Sequence, residues 1–216
     1  MSRHIIDLIA QGEHQKLDFK FQVNDAKKIA RSLSAFANTD GGRLLIGVKD
    51  NGRIAGIRSE EEYYMIDSAA EMFCKPPLKL KANPHSIQGK QLLEVIIPVS
   101  ENRPVLAPDS DGVWQAYVRF QDNNLIADDI LLNVWKMQHK KQGAFIRYAD
   151  AEKDLLDVIE KEPLQTHAEL SRRTKIKPSV LRRVLMNFVA AEILLIQVDM
   201  NGSRFYLNED FDPDSF

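Results

Sequence analysis

One stretch, SAFANTDGGRLLIGVKDNGRIAGI at residues 34–57, most constrains the fold. Apolar residues recur at helical spacing over 26–37, and Asn24 or Asp25 is placed to cap that helix. The Gly-Gly pair follows, and then the apolar run RLLIGV, which is typical of a buried strand. Asn51-Gly52 favours a type I′ hairpin turn, because both central residues of that turn need positive φ. The stretch therefore predicts a helix that bends directly into a strand and then into a tight turn.

The Gly-Gly pair does not have the pattern of a nucleotide-binding loop. A P-loop requires Lys and then Ser or Thr after its last glycine, whereas Arg43-Leu44-Leu45 follows Gly42. A dinucleotide-binding loop lies between a strand and a following helix, and here the helix comes first. Two interpretations stay open: a bend that closes the helix, or bare amides that a nucleic-acid backbone approaches.

The rest of the first half alternates between helices and short strands. In the strand KLDFKF, Leu17 and Phe19 are predicted to face inward and Asp18 and Lys20 to share the polar face. In VWQAYVRF, the same alternation predicts that Tyr117 and Arg119 face outward. The predicted helices are 3–10 and 60–74, and the predicted strands are 16–21, 78–87, 91–97 and 113–120.

After residue 125 helices dominate until a final hairpin. Thr166 and Glu169 form a capping-box pattern at the start of one predicted helix, and Pro178 suits the first turn of the next. Asn201-Gly202 is predicted at the hairpin turn. The predicted elements are helices at 128–142, 150–161, 166–175 and from 178, then the hairpin, and the last three helices with this hairpin have the order of a winged helix.

Composition limits the classes of function. No apolar run is long enough to cross a bilayer, and a single cysteine, Cys74, excludes an internal disulfide, so we expect a cytoplasmic protein without membrane contact. Cys74 is expected to be a core residue. The net charge is −2, so nucleic-acid binding would require a local basic patch.

Such a patch lies in the last third of the chain, where no acidic residue interrupts six cations between 172 and 183. In a winged helix this segment covers the turn and the recognition helix, so it favours contact with phosphates. The alternative is a solvated face on a winged helix that docks protein. The cations are Arg172, Arg173, Lys175, Lys177, Arg182 and Arg183, and Arg204 in the wing adds to them.

Three carboxylates in the first half form a second candidate site. Glu13 precedes the strand that carries Asp18, and Asp50 follows the next strong strand. If they converge, they could hold a divalent cation for phosphodiester hydrolysis. Spacing does not establish convergence, so solvated strand ends and turn formers remain the alternative.

Three stretches of the chain together resemble the Schlafen-type AlbA-like domain, over roughly residues 10–126. They are GEHQKLDFK, SAFANTDGGRLLIGVKDNGRIAGI and YVRFQDNN. The resemblance implies a nucleic-acid-binding protein, since family members are described as DNA-binding proteins or transcriptional regulators. Bacterial relatives often carry a C-terminal winged helix. Animal members are endoribonucleases that use three acidic residues, which correspond here to Glu13, Asp18 and Asp50. The same activity in this chain would use Mg²⁺ or Mn²⁺. The lysine of the family motif corresponds to Lys20. Asp18 stands where Glu is usual, and Lys49 where relatives often have an acid, so both departures weaken the nuclease interpretation.

We therefore expect an α+β chain in which a mixed-sheet Schlafen AlbA-like domain is followed by a C-terminal winged-helix domain. The expected bounds are 1–126, a connecting helix at 127–147, a winged helix at 148–208 and an acidic tail at 209–216. The leading hypothesis is a nucleic-acid-binding protein that acts as a transcriptional regulator. No cofactor is assigned, and a homodimer is compatible with each of the hypotheses. The alternatives are the metal-dependent endoribonuclease and a non-enzymatic, self-associating protein. The expected nucleic-acid contacts are Lys20, Arg119, Arg172, Arg173, Lys175, Lys177, Arg182, Arg183 and Arg204.

Overall fold

The computed structural model describes residues 2–57, 61–139 and 150–211. The chain divides into two compact units, Met1–Ile126 and Ala127–Phe216. The first unit has three helices and seven strands among its described residues: α1 (Ser2–Gln11), β1 (Leu17–Lys20), α2 (Ala26–Asn38), β2 (Gly42–Ile46), α3 (Glu61–Met72), β3 (Lys81–Ile87), β4 (Lys90–Ile97), β5 (Leu106–Pro108), β6 (Trp114–Phe120) and β7 (Asn123–Ile126).

A mixed four-stranded sheet in the order β1-β2-β4-β3 is the middle layer of the first unit. β1 runs parallel to β2, and the other pairs are antiparallel. Helix α1 packs on one face through Ile5 and Leu8. Helices α2 and α3 cover the other face, where Leu33 and Phe36 pack against strand residues of the main core. Apolar residues on both faces of the sheet therefore account for the burial of β1, β2 and β4, whereas most of the edge strand β3 is exposed or half-buried.

A second, antiparallel sheet in the order β5-β6-β7 packs against α2, and polar side chains of that helix join the two. The Asn38 side-chain amide donates to the carbonyls of Val105 and Tyr117, each at 2.8 Å, and its Oδ1 accepts from the Val105 N–H at 2.7 Å. Ser34 Oγ donates to the same Val105 carbonyl, and Thr39 Oγ1 accepts from the Arg119 N–H. The polar residues of SAFANT thus satisfy backbone groups of the second sheet.

The Gly-Gly pair is the bend between α2 and β2. The Gly41 N–H donates to the Phe36 carbonyl at 2.9 Å, and Gly41 has φ of +63°, in the left-handed region. A Cβ at Gly41 would lie 2.8 Å from the Ile97 carbonyl oxygen, and one at Gly42 would lie 2.5 Å from the Phe36 ring. Both glycines are therefore required by the close approach of the helix end to the sheet.

The second unit contains α4 (Asp129–His139), α5 (Asp150–Lys161), β8 (Gln165–Thr166), α6 (His167–Arg173), α7 (Pro178–Ala190), β9 (Leu194–Asp199) and β10 (Gly202–Leu207). Its core combines Leu155, Leu170, Leu185 and Phe205 with Ile130 and Val134 of α4, so the predicted connecting helix packs within this unit. The three strands form a sheet in the order β8-β10-β9. Helix, strand, helix, helix and hairpin follow one another in the order that the sequence predicts, with the added strand β8.

Local details confirm some sequence predictions and correct others. Thr166 caps α6, and both hydrogen bonds of the predicted capping box with Glu169 are present. Cys74 is buried as predicted, and burial raises the pKa of its thiol to about 12. The type I′ prediction is wrong, because Gly52 but not Asn51 is among the described residues with positive φ; the Gly52 N–H donates to the Lys49 carbonyl.

The final hairpin turn also differs from its prediction. Gly202 pairs with Asp199 in the ladder, so the two connecting residues are Met200 and Asn201 rather than Asn201-Gly202. Within the described ranges, no helix combines the length and the hydropathy that a membrane span needs. The predicted end of the helix at 128–142, and most of the acidic tail, lie outside the described residues.

Candidate functional site

Two of the three candidate carboxylates lie together at the edge strand β1. Glu13 Oε1 accepts from the Phe19 N–H at 2.8 Å, which holds the loop before β1 against the strand. Burial raises the pKa of Glu13, and a hydrogen bond with the Asp18 carboxyl raises this pKa further, while the Phe19 N–H opposes the rise. Glu13 therefore takes up a proton more readily than a solvated glutamate does.

Asp18 is buried rather than solvated. The register pairs Asp18 with Leu44, and both residues lie on the sheet face that α2 covers. Lys20 Nζ lies 2.6 Å from Asp18 Oδ2, and Arg119 Nη2 lies 3.5 Å from Asp18 Oδ1. The prediction of an open polar face at Asp18 is wrong because a helix and a second sheet cover that face. The two cations neutralise the carboxylate there.

Asp50 does not join this pair. It is exposed in the turn between Lys49 and Gly52, which begins after β2 has ended. Among the described residues, which include all three acids, no group of three His, Cys, Asp or Glu side chains could hold a metal ion. The predicted three-carboxylate metal site at Glu13, Asp18 and Asp50 is therefore not formed.

A cationic pocket of about 240 Å³ lies beside the acid pair in the first unit. It is bordered by β1, α2, β6, β7 and the turn between these last two strands. We call it the Arg31 pocket. Four cations line it against two carboxylates, so basic groups are in excess. Its lining is Asp18, Lys20, Lys28, Arg31, Ser32, Tyr117, Arg119, Asp122 and Asn124.

The base of the Arg31 pocket is Arg119, whose side chain is 1% exposed. Its Nη1 donates to Asn124 Oδ1 at 2.9 Å, and Asn124 donates to Ser32 Oγ at 3.0 Å. The guanidinium also lies 5.0 Å from the centre of the Phe36 ring. The predicted outward orientation of Tyr117 and Arg119 is wrong, since β6 is the central strand of its sheet and packs on α2.

The second unit presents four cations that we call the α6–α7 basic segment. All four are exposed, and within the described part of the chain none has an acidic group in ion-pair distance. Lys177 is the N-cap of α7 and makes no side-chain cap hydrogen bond, and Pro178 follows it. The start of α7 therefore combines the positive end of a helix with uncompensated charge. The segment consists of Arg172, Lys175, Lys177 and Arg183.

The other three predicted contacts of this unit are ion-paired. Arg173 lies 2.5 Å from Glu162, and Arg182 pairs with Asp129. Arg204 pairs with Asp199 and donates to the Leu164 carbonyl at 2.8 Å. Since Asp129 lies in α4, Glu162 directly after α5 and Asp199 in β9, the basic run in the sequence could not reveal them.

Sequence reasoning missed a cluster around the buried Glu94 on the α1 side of the main sheet. Glu94 Oε1 lies 3.1 Å from both His4 Nε2 and Arg43 Nε, and Oε2 lies 3.1 Å from His85 Nε2. Burial alone would raise the pKa of Glu94. Hydrogen bonds with His4, His85 and Asn83 outweigh that effect, so the pKa of Glu94 is lowered. An acid in the alternating strand KQLLEVII was the available signal.

Comparisons with known proteins bear on the first unit. The family model described as Schlafen, AlbA_2 matches residues 13–128. No curated protein matches the chain in sequence. The N-terminal domain of a RecG-related protein from Nitrosomonas europaea is 22% identical, with a TM-score of 0.43, over 58% of this chain and 95% of that chain. The DIP2311 protein from Corynebacterium diphtheriae is 17% identical, with a TM-score of 0.47, over 95% of this chain and 42% of that chain. Because the family model spans more than half of the sequence, the chain belongs to the Schlafen, AlbA_2 family.

Proposed function

We propose that this protein binds nucleic acid, and that its second unit is a winged helix whose α6–α7 basic segment contacts the phosphate backbone. The observation that carries the proposal is the exposure of Arg172, Lys175, Lys177 and Arg183 without acidic partners among the described residues. Phosphate contacts by such cations supply most of the affinity of non-specific binding. Family membership supports the same class of ligand.

The start of α7 supports contact with a duplex. In helix-turn-helix proteins the N-terminal residues of the recognition helix approach the bases, while neighbouring groups hold the backbone. Pro178 lacks an N–H, and Lys177 leaves the remaining first-turn amides without a side-chain cap. N–H groups at helix N-termini of this kind donate hydrogen bonds to phosphate oxygens. In its more specific form, the proposal is that the protein regulates transcription and that two chains pair on a symmetric DNA site.

The test compares two adjacent arginines in binding to a fluorescent duplex across a series of salt concentrations. Arg183→Gln should weaken binding and reduce the slope of log K against log salt by about 1, as expected for one lost phosphate contact. Arg182→Gln makes the same change in charge at the next residue, but Asp129 already compensates Arg182, so its slope should stay that of the unmodified protein.

Equal slopes for both variants would contradict the assignment of the basic segment. An absence of duplex binding at low salt would contradict the function itself. The endoribonuclease alternative is not proposed, because the structure brings together only two of its three acids.

A further inference from the structure

We propose that the Arg31 pocket is a binding site for a phosphate monoester. The pocket lies in the first unit and shares no residue with the α6–α7 basic segment. It is therefore independent of the duplex-binding function proposed above, and either proposal can fail alone.

The charge of the lining selects the ligand class. Lys20, Lys28, Arg31 and Arg119 contribute four positive charges and Asp18 and Asp122 two negative ones, which leaves a net charge of +2. A phosphate monoester carries about −1.5 to −2 at neutral pH. A phosphodiester within a chain carries about −1, so it would leave part of the pocket charge uncompensated.

Unused donors surround the same space. Arg119 Nε and Arg31 Nε are buried and have no hydrogen-bond partner, and Arg119 Nη2 has only the ion-pair contact with Asp18 Oδ1 at 3.5 Å. Nε and Nη2 form one edge of the guanidinium, the fork that binds oxyanions in pairs. Leaving buried donors unsatisfied is costly, and an anion in the pocket would compensate the charge of both guanidinium groups.

The two parts of the pocket have different roles. Arg119 is nearly inaccessible and is held by Asn124, so it supplies fixed positive charge at the base. Lys28 is exposed and Arg31 is half-buried on α2, where their donors can reach a ligand at the mouth. Among the described residues, neither of these two side chains has an ion-pair partner.

The size of the pocket limits what else enters with the phosphate. Sites for drug-sized ligands have volumes of about 300–1,000 Å³, and this pocket has about 240 Å³. It suits a phosphate with the adjoining sugar rather than a dinucleotide. Ser32, Tyr117 and Asn124 offer uncharged polar groups for that part. A free nucleotide and the phosphorylated end of a nucleic-acid strand share this chemistry.

The test is isothermal titration calorimetry of the full chain with inorganic phosphate at constant ionic strength. Lys28→Gln and Arg31→Gln should each weaken phosphate binding about tenfold, as expected for one lost charge-assisted hydrogen bond. Lys27→Gln is the matched control, because Lys27 precedes Lys28 on α2 but does not line the pocket. Circular dichroism verifies that all three variants are folded.

Two results would overturn the site: no phosphate binding by the unmodified protein, or equal weakening by Lys27→Gln and the two pocket variants. Titrations with a nucleoside 5′-monophosphate, and with a single strand that ends in either a 5′-phosphate or a 5′-hydroxyl, show whether the bound phosphate belongs to a free nucleotide or to a strand end. Preference for the phosphorylated strand, lost in Arg31→Gln and kept in Arg183→Gln, would identify a strand end. Binding of the mononucleotide without that preference would identify a free nucleotide. Binding of neither would contradict the assignment to a monoester.

Discussion

Glu94 is a buried acid of the first unit with several partners. It is 3% exposed and joins α1, β2 and β3 through His4, Arg43 and His85. A buried carboxylate is tolerated only when charges and donors compensate its lost hydration. The cluster therefore makes the attachment of α1 to the sheet depend on a negative charge.

Replacing that charge should change how stability depends on pH. The pKa of Glu94 is lower when folded than its ordinary value of 4.5, so its stabilisation is present above pH 4.5 and is lost as pH falls through the folded pKa. Glu94→Gln should cost about 1–3 kcal/mol at pH 7, and the difference from the unmodified protein should shrink in acid. Urea unfolding at pH 7 and at pH 3.5 measures both effects. The exposed Glu101→Gln should change neither, and a constant Glu94→Gln penalty across the two values would contradict the charge dependence.

At the scale of elements, the bend at Gly41 allows the end of α2 to approach the sheet closely before β2 begins. Gly41→Ala should destabilise the first unit by roughly 2–5 kcal/mol, because a left-handed φ and a clash with the Ile97 carbonyl add together. Gly12→Ala is the matched comparison, since Gly12 has φ of +71° but nothing within 4 Å of its added Cβ. That variant should lose only about 1–2 kcal/mol. Similar losses in thermal unfolding would indicate that the close approach is relieved by movement of the chain.

Elements with strong local signals were predictable, and those made by pairing were not. The cap at Asp25, the capping box at Thr166 and the bend at Gly41 follow from interactions within a few residues. Strands β5, β7 and β8 have two to four residues each and exist through partners distant in sequence, so no periodicity marks them. The alternation of β6 was visible, but burial of both its faces depends on packing against α2.

At the scale of the whole molecule, the hydrophobic cores of the two units share no residue. Leu185→Ala empties a fully buried position in the second unit, and such truncations cost about 2–5 kcal/mol. Hydrogen exchange should show faster exchange in α5, α7 and β10 and unchanged protection in β2 and β4. Loss of protection in both units would mean that they unfold together.

The candidate sites could be predicted only in part, because some of their residues are brought together only by folding. Lys20 and Arg119 were identified, but Lys28, Arg31, Asp122 and Asn124 reach the pocket from other elements, and only folding places them there. Conversely, Glu13 and Asp18 are neighbours in the sequence and meet, whereas Asp50 needed a tertiary approach that does not occur. The basic run at 172–183 was visible, but not the acids that compensate part of it.

The Asn38 amide has a consequence for how this family is identified. Its side-chain N–H groups donate to Val105, Tyr117 and Ser34, its oxygen accepts from Val105, and the residue is buried, so it does not face a ligand. The stretch by which the chain is identified is thus committed to joining a helix to two sheets. In this chain the signature therefore marks a joint between elements, and the side chains that could bind a ligand lie around it.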